Sequence, residues 1–526
     1  MMNASSGATS LATPATQPAW FALRNPRALV VWTIIIGTAA RLIAAAALGY
    51  GLGEGYYFAT ARHLALSYFD QPPLSLWIAH ATWVLTGSDS VFVIRLPFIA
   101  MFVGTTWLMY RLGALLFDER AGAIAAVLLN TSPVFTISAG GWIQPDGPLM
   151  LCLMAAALCI ARLAVAPAAE RSNFLLWCAA GVWFGLALLA KYHAILLAGG
   201  LVLFALTSRE HRRWFAEPGP YVAALIAFAI FSPVIIWNAR NGWVSFDFQG
   251  SRAGGATLRP FGIIRSMGGQ AGYLGPWVWV LLVAVYFKGL RRGPNATAIW
   301  LLCCLATIPL LLFTVIALWA EINAHFHWQA PGYLMLFPLV GVFMPEDARV
   351  RRWLIGSIAA MTALLALWLS QSVFGWIRFP VPPSLTPYVE KLEDPTLEAF
   401  DWPELRTALA SRGLLDAPKL FVVATRWHQA GKMDVVLGDE LPVVCLCDDP
   451  RNIAFNSDPR KFAGFDALII GTDAFLPKVG VYAPYFDSIE KVEDVDLHRM
   501  GRTVMTLHVY RGRNYNGRYP MKLPPH

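Results

Sequence analysis

The residues of this chain best suited to chemistry are carboxylates, histidines and lone cations set in or beside long apolar runs. Glu54 and Asp70 stand sixteen residues apart in GEGYYFATARHLALSYFDQPPL (53–74), with Tyr56 and Tyr57 between them. Asp70 comes just before Pro72 and Pro73, whose fixed φ would hold the carboxylate in place; the plainer reading is a turn residue, with Glu54 solvating the loop. Asp146 lies in QPDGP at the mouth of an apolar run, where capping the following helix would already explain it. Lys191 is isolated between GLALLA and AILLA. A cation at that depth needs an anion, either a protein carboxylate or a phosphate from outside; otherwise it marks a wet turn between two short helices. His325, His327 and Trp328 precede another run. H-x-H is half of a zinc pattern, but no third ligand follows at the usual spacing, so a divalent metal is possible and not favoured. Together these groups suit acid–base work and anion binding.

The elements that must position them follow from composition. Of 526 residues, 57% are hydrophobic and 14% charged, against about 45–50% and about 25% in soluble domains. The solvent is therefore mostly lipid. At about twenty residues per crossing, spans are expected near 28–48, 91–110, 121–139, 148–165, 174–190, 192–207, 219–237, 273–288, 297–319, 331–345 and 353–374. The fifth and sixth meet at Lys191 and could form a hairpin. With Arg24 and Arg27 inside, alternate loops carry Arg111 and Arg120, Arg162 and Arg171, Arg209 with Arg212 and Arg213, Lys288 with Arg291 and Arg292, and Arg349 with Arg351 and Arg352. That is the positive-inside pattern, and it accounts for the net charge of +8 without nucleic acid. The polar segments all fall on the other face, where irregular backbone at membrane depth implies a wet cavity.

The expected organisation is a cytoplasmic tail (1–27), a transmembrane module (28–379) with an outer loop (49–90), and an outer α/β domain (380–526). In that domain 419–425, 433–438, 441–447, 465–472 and 503–512 read as strands by their β-branched content. DWPELRTALASRG (401–413) reads as a helix capped by Gly413. Cys445 and Cys447 form C-x-C; same-face neighbours on a strand rarely form a disulfide and no second metal-ligand pair is in sight, so both are read as structural.

The strings EGYYF…YFDQPPL, VIRLP, PDGPL, GLALLAKY, SPVIIWN…WVSFDFQ and HFHWQAPGYL occur in that order. Jointly, over about 20–345, they resemble bacterial glycosyltransferases of the protein-O-mannosyltransferase-like group. These are GT-C membrane enzymes whose relatives include the aminoarabinose and galacturonic acid transferases of lipid A. The resemblance implies an α-helical polytopic membrane protein of GT-C type, about 11–13 spans, with a C-terminal soluble α/β domain. It also implies inverting transfer of a monosaccharide from a polyprenyl-phosphate carrier to an acceptor, without a required cofactor, at the periplasmic face of the inner membrane. A lipid A-type lipid is the favoured acceptor, with protein or glycan open. Where the family loop opens on Asp-Glu, this chain has Gly53–Glu54, so the base is Glu54 or Asp70. Lys191, His325, His327 and Arg62 are then candidates for the carrier phosphate. Tyr56, Tyr57, Asp146, Asn238 and Trp328 are candidates for substrate contact. A carrier or flippase for lipid-linked saccharides is the alternative from another class, disfavoured by the absence of repeats and the one-sided polar motifs.

Overall fold

Helices lie at every segment expected to cross the membrane, but they differ widely in length. The computed structural model describes residues 25–166, 173–252, 254, 257–319, 327–344, 348–376, 395–438, 440–472 and 479–519. Helix α1 (Pro26–Ala47) starts with Pro at its first position, and the Asn25 side chain caps Ala28 N. The loop after it folds into two helices, α2 (Leu52–Ala61) and α3 (Leu74–Thr86). The long α4 (Val91–Leu116) follows, then α5 (Glu119–Thr131), which gives way at Ser132–Pro133 to a π-helical turn, Val134–Ala139.

Next come α6 (Asp146–Val165), α7 (Phe174–Ala190), α8 (Ile195–Thr207), α9 (Pro218–Arg240) and the short α10 (Val244–Ser251). Helices α11 (Gly262–Leu274) and α12 (Pro276–Arg292) meet at 111° across Gly275, whose φ of 85° suits glycine. The membrane part closes with α13 (Thr297–Ile316), α14 (Ala330–Phe343) and α15 (Ala348–Phe374). Six of these helices are long and apolar enough to cross a bilayer alone, or seven segments if the bent pair is one broken span. The others that sequence placed as full spans are shorter. Helices α7 and α8 form the hairpin at Lys191.

The bundle core is built around α6, packed between α4 and α7. Small residues let backbones approach where no hydrophobic drive separates protein from lipid. A Cβ on Gly181 of α7 would lie 2.5 Å from the Ala223 carbonyl of α9. At one end of the bundle Arg27 pairs with Glu119 at 2.6 Å. At the other end gather the polar loops and the C-terminal domain.

That domain holds α16 (Pro403–Ser411), α17 (Trp427–Leu437) and one mixed sheet. Its strands are β1 (Leu420–Ala424), β2 (Val443–Cys445), β3 (Asp466–Thr472), β4 (Ser488–Arg499) and β5 (Arg502–Arg513), in the order β2-β1-β3-β5-β4. The first three are parallel, and β5 runs antiparallel to β3 and β4. Three expectations need correction. MDVVLG is not a strand: Ala430, Met433 and Leu437 recur at helical spacing and bury one face of α17. Strand β4 escaped notice because SIEKVEDVDLHR is charged throughout, as suits an edge. Cys445 and Cys447 are disulfide-bonded. Strand β2 ends at Cys445, so the chain turns there and brings the two Cα atoms to 5.4 Å, inside disulfide range.

The domain docks on α2 through backbone. A Cβ on Gly431 would sit 2.3 Å from both N and Cα of Tyr56, and one on Gly55 would sit 3.2 Å from Lys432 N. Asp401 accepts from Tyr50 N at 2.8 Å. Lys432 is buried, donates to the Phe400 carbonyl, and is pushed down to about 8 by burial, with Asp401 opposing.

Candidate active site

Glu54, the third residue of α2, is fully buried. Its Oε1 accepts from Arg95 Nε at 2.9 Å and from Ile143 N at 3.0 Å. Its Oε2 accepts from Arg95 Nη2 at 2.5 Å and from Gly51 N at 3.0 Å. Arg95, in VIRLP at the start of α4, also donates to the carbonyls of Leu48 and Gly49 at the end of α1. This knot ties α1, α2, α4 and the 140–146 loop together. Every lone-pair direction of Glu54 is engaged, leaving no oxygen for a substrate proton. An Arg in the first turns of an apolar helix is itself a signal of a buried partner, legible in VIRLP.

Asp70 is placed differently. It lies between α2 and α3, 2% exposed. Its Oδ1 accepts from Tyr56 Oη at 2.7 Å. Its Oδ2 is buried without a hydrogen bond, with Arg451 Nη1 at ion-pair distance, 3.5 Å. Gln249 of α10 donates to the Asp70 carbonyl at 2.6 Å, and Ser245 donates to that of Tyr68 at 2.8 Å. Burial raises the Asp70 carboxyl above the usual carboxylate range, while Arg451 and the Tyr56 hydroxyl pull it back. An ionised carboxylate with one open oxygen is what a general base needs.

Lys191 ends α7 in extended conformation, and its Nζ donates to both oxygens of Asp146, at 3.0 and 3.1 Å. Both side chains are buried. Asp146 opens α6 as its first helical residue rather than as its cap. His327 and His193 lie within electrostatic reach of this pair. Trp328 packs on His193 and Phe313, with ring centroids 5.4 and 5.3 Å apart. The Arg252 guanidinium lies 4.7 Å over the Trp328 ring, a cation–π arrangement. No carboxylate among the described residues pairs with Arg252, yet its field is felt with those of Asp70, Tyr57 and Arg451.

The structure thus brings Asp70, Tyr56, Tyr57, Asp146, Lys191, His327 and Trp328 around one polar end of the bundle. Arg62 faces elsewhere, pairing with Asp89 at 3.4 Å and Asp434 at 3.5 Å. Asn238 is spent on structure: its amide donates to Val234 O at 3.0 Å and its Oδ1 accepts from Ser245 N at 3.1 Å. His325 lies outside the described residues. Arg252 follows the WVSFDFQ string and could have been weighed there. Arg451 carried no signal, being one loop charge in a globular domain.

The mostly helical membrane part, with the α/β sheet domain over its polar loops, has the GT-C fold. The family model described as dolichyl-phosphate-mannose-protein mannosyltransferase matches residues 70–237. Lipid A galacturonosyltransferase RgtD of Rhizobium johnstonii is 25% identical over 298 residues, 55% of this chain; the match spans 59% of that relative's length. ArnT from Cupriavidus metallidurans in the apo state superposes with a TM-score of 0.61 at 14% identity, over 92% of this chain and 98% of that one. The same protein bound to undecaprenyl phosphate gives 0.59 over the same shares, also at 14% identity.

Proposed function

We propose that the protein is a polyprenyl-phosphate-sugar-dependent glycosyltransferase acting at the periplasmic face of a bacterial inner membrane. It moves one monosaccharide from the lipid carrier to a hydroxyl of lipid A or a related envelope lipid. The observation that carries this reading is the buried Oδ2 of Asp70, which makes no hydrogen bond among the described residues, with Arg252 in its electrostatic reach. Supporting the lipid-linked donor and lipid acceptor are the resemblances to the lipid A galacturonosyltransferase and to the undecaprenyl phosphate-bound structure.

Asp70 takes the proton of the acceptor hydroxyl as its oxygen bonds to the anomeric carbon. The bond from that carbon to the carrier phosphate breaks, and its electron pair leaves on the phosphate. Such a base contributes about 10²–10⁴-fold. Arg252, 4.7 Å over the Trp328 ring, meets the charge that develops on the leaving phosphate, with His327 next to Trp328 in the chain. A single displacement inverts the anomeric centre. The Lys191–Asp146 pair is internally neutral and forms a fixed polar wall for the sugar. No step in this scheme calls on a metal or other cofactor. Glu54 is the weaker candidate for the base, because Arg95 and two backbone amides hold both of its oxygens.

Basic residues cluster at the bundle end opposite this centre, which supports a cytoplasmic N-terminus. The Cys445–Cys447 disulfide in the other domain suits an oxidising compartment. The test is transfer by purified protein in detergent, from a panel of polyprenyl-phosphate monosaccharides to lipid A. Transfer from one donor, lost in Asp70→Asn, is the expected result. Binding of a donor without transfer to any lipid, protein or glycan acceptor would instead favour a non-catalytic carrier.

A further inference from the structure

The outer domain does more than cover the centre, because one of its loops ends inside it. Just beyond the Cys445–Cys447 disulfide the chain turns back toward α2 and delivers Arg451 and Asn452. Arg451 holds a φ of 48°, a left-handed conformation uncommon outside glycine. Its guanidinium lies 3.7 Å over the Trp427 ring, with Nε 3.3 Å from Asp449 and Nη1 3.5 Å from Asp70 Oδ2. Asn452 donates its backbone N–H to Tyr56 Oη at 3.1 Å and accepts from Phe69 N on its Oδ1 at 2.9 Å. Tyr56 in turn donates to Asp70 Oδ1 at 2.7 Å. Three residues on, Phe455 packs against Phe69 and Trp237, with centroids 5.7 and 5.5 Å apart. Each oxygen of Asp70 thus faces a group whose place is set by residues of the outer domain.

We propose that Arg451 and Asn452 are positioning residues for Asp70: Arg451 keeps the carboxylate ionised and aimed, and Asn452, through Tyr56, fixes its rotation. This rests on the reading of Asp70 as the base. The titratable and charged groups facing Asp70 are Tyr56 and Tyr57 of α2, Tyr192 before α8, Arg252 after α10, and Arg451 with Asp449 of the outer loop. Among the described residues Arg451 is the one cation within ion-pair distance of the carboxylate. Burial favours the neutral acid, and Arg451 is the largest force against it. Without Arg451 the acid limb of the rate profile moves to higher pH, because a nearby cation is worth about one pH unit or more. Lysine supplies the charge but not a plane to lie on Trp427.

The experiment is the pH dependence of kcat and of donor KM for the full chain in detergent, in wild type, Arg451→Gln, Arg451→Lys and Asn452→Ala. The expected result for R451Q is an acid limb raised by about one pH unit or more, lower kcat at neutral pH and an unchanged donor KM. R451K keeps the wild-type limb with reduced kcat. N452A lowers kcat without moving KM. An unshifted limb in folded R451Q overturns the proposal. So does a raised donor KM with an unmoved limb, which would make Arg451 a phosphate ligand. If R451Q does not fold, R451K decides alone, since an effect confined to donor KM is equally contrary. Wild-type protein that transfers no sugar fails the functional reading itself, an outcome distinct from an unshifted limb.

Discussion

Arg95 and Glu54 meet through two charge-assisted contacts, Nε to Oε1 at 2.9 Å and Nη2 to Oε2 at 2.5 Å, with Glu54 fully buried and Arg95 nearly so. Removing one member of such a pair leaves an uncompensated buried charge and costs about 3–5 kcal/mol. Glu54→Ala is therefore expected to lower the melting temperature of the purified protein sharply, and activity falls with the fold. A well-folded E54A protein with its rate alone abolished would instead return Glu54 to the chemistry.

Asp70→Asn should behave in the opposite way. A carboxyl whose folded pKa is raised contributes stability below its unfolded pKa and loses it as pH rises through the folded value. At neutral pH ionised Asp70 therefore weakens the fold, and the amide should leave the melting temperature unchanged or higher. Transfer falls by about 10²–10⁴-fold. In wild type, transfer is lost as pH falls through the raised Asp70 value, and a rate profile of purified protein locates that limb.

Lys191→Met and Asp146→Asn each break a buried pair, and each is expected to destabilise by about 3–5 kcal/mol. Combining them removes both charges, so the double variant should recover part of the loss. A thermal-unfolding cycle over the four proteins measures the coupling, and additive losses would show that the pair does not act as a unit.

Arg252→Ala removes a cation from an aromatic platform and breaks no ion pair to a described residue. Its expected signature is weaker donor handling, with higher donor KM and lower kcat, while the melting temperature holds. An unchanged donor KM and rate would remove Arg252 from the phosphate site.

Gly431→Val tests the docking of the outer domain. The new Cβ meets the Tyr56 backbone at 2.3 Å, where no flexible side chain can give way. Transfer should be lost and the domain should become sensitive to added protease, whereas valine at the exposed turn Gly464 serves as a strained but uncrowded control.

The membrane frame was legible because hydropathy and basic loops report on lipid directly: α1, α4, α6, α9 and α13 fall where apolar runs predict them. The carboxylates and Lys191 were legible because charge beside lipid is costly. Choosing among them was not possible from spacing. Glu54 and Asp70 share one loop, and only the arrival of Arg95 from α4 and of Ile143 from the next loop separates a structural carboxylate from one with an open oxygen. Long-range partners of this kind leave no local pattern. Arg451 is the extreme case, since nothing near it in sequence resembles the centre it enters. The strand predicted at 433–438 failed for a related reason: Val435 and Val436 favour a strand, and tertiary burial of α17 overrode them.

The order of the residues along the chain has a consequence for how the protein is made. Asp70 and Arg451 are 381 positions apart, so at roughly 5–20 residues per second the ribosome needs about 20–80 s to pass from one to the other. Throughout that interval every membrane helix can insert while the carboxylate still lacks its cation and the Tyr56 hydroxyl its Asn452 amide. The centre is assembled last, once the loop that carries Arg451 and Asn452 has been made and folded. A chain that stalls in synthesis, or whose outer domain fails to fold, is left as an inert bundle instead of an unregulated one.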